Sequence, residues 1–318
     1  MKKLILLLLL LFNLNSVFSQ SDVINELINE TDELNLDMWD FVEYAKDKIT
    51  NKIELSKFFY YWIGKNVVYD KELIKRLDSG TITNEAFHNS QDEHDVYENR
   101  KGVCAGYANL YKWFMDEIDI EAVTISGHIR DERNHYVELN ADDNFRHAWN
   151  AIKFDGKWSL VDTTWGTSDN ITQSEYYYNI NPELLIISHY PEEEKWQLLE
   201  KPLSLDEFNK SKFVKKIWFF SGYSDIPTLK ADDEFYYLVY KSNANKNYSV
   251  ELMHSSDNSN FSLLNNITKI EQDGFTYLRF PKTEVADKAY FKLNLVISKL
   301  YDNITNTFVY NGVINFKT

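Results

Sequence analysis

The dipeptide Asp155-Gly156, set between the runs RHAWNAIKF and KWSLVDTTW, constrains this chain more than any other pair of residues in it. A tight type I′ turn needs positive φ at both central positions, which Asp and Gly tolerate, and the alternating runs on either side supply two strands for it to join. The spacing predicts a two-residue hairpin loop with Phe154 opposite Lys157, Trp149 opposite Asp162 and His147 opposite Thr164. His147 and Asp162 are then diagonal neighbours on one face, within ~8 Å by backbone and closer through their side chains. A slip of one residue would send them to opposite faces, so the turn sets the chemistry together with the strands. An imidazole that gives one ring N–H to a carboxylate while its other nitrogen faces outward is the base and orienter of a nucleophilic triad.

The chain contains one cysteine, Cys104, in the segment RKGVCAGYANLYKWF. A single thiol excludes an internal disulfide, a multi-cysteine zinc site and an iron–sulfur cluster. Cys104 stands at the start of a helix expected over 107–118, where unsatisfied N–H groups and partial positive charge favour thiolate over thiol. A buried inert thiol, an intermolecular disulfide and a reactive nucleophile are the three readings of an unpaired cysteine.

The compartment sharpens that choice. Lys2 and Lys3, the apolar run 4–12 and a polar stretch ending in Val17 and Ser19 read as a secretory signal peptide cut after Ser19. The apolar run is too short to span a bilayer, so no stable membrane insertion is expected after cleavage, and the mature chain is expected to be secreted or periplasmic. Oxidising compartments favour paired cysteines or none, which makes a lone one informative.

Charge removes other partners. With 34 basic and 49 acidic residues the net charge is −15, a field that repels nucleic acid and anionic membrane surfaces. Apolar residues make up 44% of the chain and aromatic ones 15%, enough for sizeable cores, and 318 residues suggest two domains.

Helical spacing predicts two or three helices over 21–74, ending in WIGKNVVYD with a short extended exit at 67–70. Residues 75–100 read as a polar loop with a short helix. Five of the ten glycines, Gly102, Gly106, Gly127, Gly156 and Gly166, fall where backbone must turn or approach closely. AVTISGHI and HYVEL read as strands. Three prolines after the hairpin suggest an irregular wrapping segment. Beyond about residue 213, runs such as FYYLVYK, YSVELMH, FTYLRF and AYFKLNLVIS at regular spacing predict an all-β sandwich. The expected division is 1–19 signal peptide, 20–212 catalytic domain and 213–318 β-sandwich.

The blocks WIGKNVVYD, KGVCAGYANLY, RHAWNAIKFDGKWSLVDTTWG and NPELLIISHYPEEEKWQLLEKPLSLDEF resemble the transglutaminase-like superfamily, in its kyphoscoliosis-peptidase-like branch, over roughly residues 50–212. The resemblance implies an α+β fold, a papain-like core of helices packed on an antiparallel sheet, often followed by a β-rich domain. It implies Cys104 as nucleophile, His147 as general base and acid and Asp162 as orienter, acting on protein or peptide amides through a thioester that water or an amine resolves. No cofactor is implied. A first oxyanion donor is expected at the Cys104 backbone N–H, and a second at Tyr69 or the residues just before Gly102.

His128, His135 and His189 lack metal-type spacing and read as structural or surface residues, and no metal site is expected. Asp131, Glu132, Asp142 and Asp143 form no DxDxDG loop and read as a solvated acidic loop rather than a calcium site. Trp149, Trp158 and Trp165 flank the hairpin and read as packing that keeps it dry. The alternative to an enzyme is a binding or scaffold protein on the same fold, its sandwich engaging protein or glycan.

Overall fold

The computed structural model describes residues 20–130, 138–140, 146–166, 175–245, 247–288, 290–301 and 304–317. The expected signal peptide, His135, the acidic residues 131, 132, 142 and 143 and most of the HYVEL segment lie outside the described residues.

Three helices open the chain: α1 (Gln20–Leu34), α2 (Met38–Lys48) and α3 (Lys52–Asn66). Asp37 and Asn51 cap α2 and α3 by accepting backbone N–H groups of the first turn. The run Phe58–Ile63 of α3 is buried all round, as expected of a helix enclosed on every side. Phe41 packs on Trp62 at 4.6 Å and Phe59 stacks on Phe114 at 4.4 Å, so this aromatic core ties the helices to α7 (Cys104–Glu117). Each such ring, fully buried, contributes about 1.5–3 kcal/mol.

The expected exit from α3 is β1 (Val68–Tyr69), which pairs in parallel with β2 (Lys101–Gly102), two residues before Cys104. Between them lie three helices, α4 (Lys71–Asp78), α5 (Asn84–Asn89) and α6 (Glu93–Asn99), where the sequence predicts a loop with one short helix. Their cause is capping: Asp70, Thr83 and Asp92 each accept a first-turn N–H, and helices of six to eight residues are too short to show a clear apolar period.

α7 packs on an antiparallel five-stranded sheet in the order β6-β5-β4-β3-β7, formed by β3 (Ala122–Ile129), β4 (Arg146–Phe154), β5 (Lys157–Val161), β6 (Tyr178–Ile180) and β7 (His189–Pro191). The Asp-Gly hairpin forms as the spacing predicts. Asp155 and Gly156 have φ of 48° and 75°, and Phe154 faces Lys157 with the same register continuing to Asn150 opposite Val161.

The C-terminal residues form two further antiparallel sheets. One holds β9 (Thr228–Ala231), β10 (Phe235–Lys241), β13 (Thr268–Gln272) and β14 (Phe275–Pro281) in the order β13-β14-β10-β9. The other holds β8 (Phe213–Val214), β11 (Tyr248–Ser255), β12 (Ser262–Leu263), β15 (Tyr290–Tyr301) and β16 (Ile304–Lys317) in the order β12-β11-β15-β16-β8. Leu238, Leu252, Leu278, Phe280, Leu293 and Phe316 build a core between them that is separate from the helical one. The fold is α+β, with a helix-and-sheet unit followed by a sheet-rich one.

Candidate active site

Val103 is the residue before α7 and offers no side-chain cap. The N–H groups of the first turn, beginning at Cys104, therefore point out of the helix without an intrahelical partner. The Val103 N–H itself is taken by Gln91 Oε1 at 2.7 Å. Gln91 is buried, and its amide donates to Ser90 O and Ser90 Oγ at 2.8 and 3.0 Å. Gly106 makes room for it, since a Cβ there would lie 2.7 Å from Gln91 Oε1, and Gly102 makes room for the neighbouring Val96, 3.3 Å from where its Cβ would be. Gln91 holds the loop that presents Cys104; it lies in the segment that the sequence predicts as polar loop, where no local pattern marks it.

β4 brings His147 to the same place. The side chain of Asn150, fully buried on this strand, donates to Ala108 O on α7 at 2.9 Å, locking strand to helix. His147 and Cys104 interact closely enough for each to displace the titration of the other. His147 Nε2 meets Asp162 Oδ2 at 2.9 Å, so the other ring nitrogen is not engaged by the carboxylate. The predicted rung between Trp149 and Asp162 does not form, because β5 ends at Val161 and Asp162 turns away to donate its N–H to Tyr177 O at 3.0 Å. That departure brings the carboxylate into contact with the imidazole, closer than a diagonal pair on a regular ladder would be.

Asp162 is completely buried. Its Oδ1 accepts the Trp165 N–H at 2.9 Å, and its Oδ2 faces a second imidazole, His189 Nε2, also at 2.9 Å. Sequence spacing gave no reason to bring His189 here; the pairing of β7 with β3 does so. Trp165 and Trp149 lie 4.5 and 5.1 Å from the His189 ring, and both also flank His147. This is the dry wall expected of Trp149 and Trp165. Trp158 packs instead against Trp196, 5.1 Å away on the far end of the hairpin.

Electrostatics follow from this packing. Burial favours neutral forms, yet the charge and hydrogen bond of Asp162, with the hydrogen bond of Cys104, push the His147 pKa up to about 10. Burial likewise raises the Cys104 thiol, but the hydrogen bond and charge of His147 and a backbone bond to Ala148 outweigh it and leave the thiol below its usual range. Asp162 resists the rise that burial would cause, because His147 and His189 hold its carboxylate well below the usual range. Burial pushes His189 down, so it stays neutral. Both displacements run in the sense that favours a thiolate beside an imidazolium over the neutral pair.

Other expected residues fall elsewhere. His128 is buried 3.3 Å from the Arg146 guanidinium. Tyr69 pairs with Gly102 through the backbone. Arg100 packs its guanidinium over the rings of Tyr97 and Trp62. Among the described residues, two groups of side chains bring three metal-type ligand atoms within 4.8 Å of one another: His147, Asp162 and His189, and the partly exposed Asp92, Glu93 and His94. In the first, hydrogen bonds already account for both Nε2 atoms and the shared Oδ2.

Residues 40–163 match the family model described as the transglutaminase-like superfamily. The chain is 30% identical to kyphoscoliosis peptidase of Mus musculus and 29% identical to that of Homo sapiens, in each case over 178 residues, 54% of this chain and 25% of the relative. Hillarin of Drosophila melanogaster is 27% identical over 134 residues, 36% of this chain and 16% of its own. The chain thus spans about a quarter of the length of the kyphoscoliosis peptidases it matches. With helices on an antiparallel sheet and the match running from α2 to the end of the hairpin, residues 40–163 carry a transglutaminase-like domain, and the chain is similar in sequence to the kyphoscoliosis peptidases.

Proposed function

We propose that the protein is an exported thiol enzyme that attacks protein or peptide amides through Cys104, His147 and Asp162. One observation carries this reading: a cysteine at a helix start without a side-chain cap interacts with an imidazole that is itself held 2.9 Å from a buried carboxylate. The thiolate adds to the amide carbonyl carbon. The oxyanion gains the Cys104 backbone N–H and the partial positive charge of the α7 terminus. His147 gives its proton to the leaving amine, and the C–N bond breaks to leave a thioester on Cys104. Water then yields a hydrolase, and a lysine amine yields a crosslink. Asp162 keeps the ring oriented throughout and stabilises its charged form until the proton is given up.

The sheet-rich unit would bind or position the substrate, and cleavage after Ser19 would deliver the chain outside the cytoplasm. N-terminal sequencing of the mature protein is expected to begin at Gln20. Cys104→Ala is expected to abolish turnover, and a thiol probe is expected to label Cys104 near neutral pH. Sluggish labelling, with a thiol pKa at or above the ~8.5 of free cysteine, would overturn the proposal.

A further inference from the structure

We infer that His189 is a positioning residue, a neutral hydrogen-bond donor that fixes the Asp162 carboxylate against His147 and so maintains the thiolate of Cys104. The inference rests on the function proposed above. His189 lies outside the segment matched by the family model, which ends at residue 163, and reaches Asp162 only because β7 joins the edge of the sheet beside β3.

Its protonation follows from its partners. The ring is fully buried, with Nε2 2.9 Å from Asp162 Oδ2 and Nδ1 2.8 Å from Ser188 Oγ. Against an ionised carboxylate Nε2 must carry the proton. Nδ1 of the neutral ring is then an acceptor, and the Ser188 hydroxyl donates to it. Asp162 consequently receives three donors: Trp165 N–H on Oδ1, and the His147 and His189 rings on Oδ2. Two donors on one oxygen and one on the other remove the freedom of the carboxylate to swing away from His147.

Neutrality is as important as geometry. A lysine or arginine in this position would also hold Asp162, but its charge would oppose a charge on His147 and dissolve the ion pair with Cys104. A neutral imidazole stabilises the carboxylate without adding a competing cation. The titratable groups around it are Asp162 itself, His147 on β4, Cys104 on α7, coupled through His147, and Tyr60 on α3, whose hydroxyl burial and the Asp162 charge keep protonated.

The test reads the ion pair without any substrate: the rate of Cys104 alkylation by iodoacetamide against pH, for the full chain and for His189→Phe, His189→Gln and Ser188→Ala. His189→Phe keeps a ring and removes the donor. It is expected to raise the midpoint of the profile by about one unit and so slow alkylation about tenfold near pH 6. His189→Gln retains an N–H and should recover most of the wild-type rate. Ser188→Ala, which frees the His189 tautomer, should shift the midpoint in the same direction by less.

A folded His189→Phe whose profile superimposes on wild type would overturn the inference, as would equal shifts for Phe and Gln. Should His189→Phe fail to fold, wild-type profiles for both His189→Gln and Ser188→Ala would overturn it. A wild-type midpoint at the value of an ordinary thiol would instead sink the proposed function and this inference together, whereas a depressed wild-type midpoint unmoved in every variant would sink the inference alone.

Discussion

Gln91 Oε1 accepts the backbone N–H of Val103 at 2.7 Å, and that contact crosses from the residues just before α6 to the residue just before the nucleophile. It satisfies the N–H of the residue before α7 and leaves the first-turn N–H groups, Cys104 among them, without a side-chain cap. Gln91→Leu would leave the buried Val103 N–H without a partner, a cost of about 1–3 kcal/mol. Gln91→Glu keeps the acceptor but places a carboxylate beside the start of α7. The expected outcome is a split. Leu lowers the denaturation midpoint, whereas Glu at neutral pH leaves more of the stability and slows Cys104 alkylation, because a nearby negative charge raises the thiol pKa. Equal alkylation rates in Glu and wild type would show that Gln91 does not sense the sulfur.

Asp162 and His147 make stability depend on pH with a definite sign. His147 titrates near 10 when folded and near 6.5 in its ordinary state, so the stability it contributes is complete below about pH 6.5 and is lost as pH rises through about 10. Asp162 is displaced the other way; its contribution is present above the ordinary carboxylate range and is lost as pH falls below it. Asp162→Asn removes the charge that supports the imidazolium. The alkaline fall in melting temperature seen in wild type should then disappear, the alkaline limb of activity should move down towards pH 6.5, and turnover should drop on the order of 10²–10⁴. Thermal melts from pH 5 to 11 check the first of these, and an unchanged alkaline slope would rule out the pairing as its source.

Much of this site can be read from residues that act locally. Asp155-Gly156 specifies a turn by backbone preference alone, and the turn propagates a register that brings His147 within reach of Asp162. Cys104 is marked as a helix start by the glycine before it and the apolar spacing after it. Gln91 and His189 are not legible in this way. Gln91 is twelve residues from Val103, and His189 is twenty-seven from Asp162; neither pairing has a turn or period that carries it. Each depends on a tertiary event, the docking of α6 on α7 and of β7 on β3. Between β1 and β2 the sequence predicts one short helix where the structure has three, since the signal of each is a single capping side chain.

Gly127 is where two halves of the site are pinned together. On β3 it pairs with His147 of β4 on one side and with Pro191 of β7 on the other. A Cβ there would collide with Tyr190 O and would lie 2.5 Å from Trp149 Cη2 and 2.8 Å from Pro191 Cα. Backbone cannot yield as a flexible side-chain tip would, so Gly127→Ala must push β7 off the sheet edge or turn the Trp149 ring, at about 1–3 kcal/mol. Either movement displaces His189 from Asp162 or strips the wall beside His147. Gly156→Ala is the matched control: its φ of 75° also penalises a side chain, but nothing lies within 4 Å of the added carbon, and the expected cost is about 1 kcal/mol with no movement of the site. The two variants should therefore lose comparable stability by chemical denaturation while only Gly127→Ala slows alkylation of Cys104 near neutral pH. Equal alkylation rates in both would show that the close packing of β7 on β3 serves the sheet and not the ion pair.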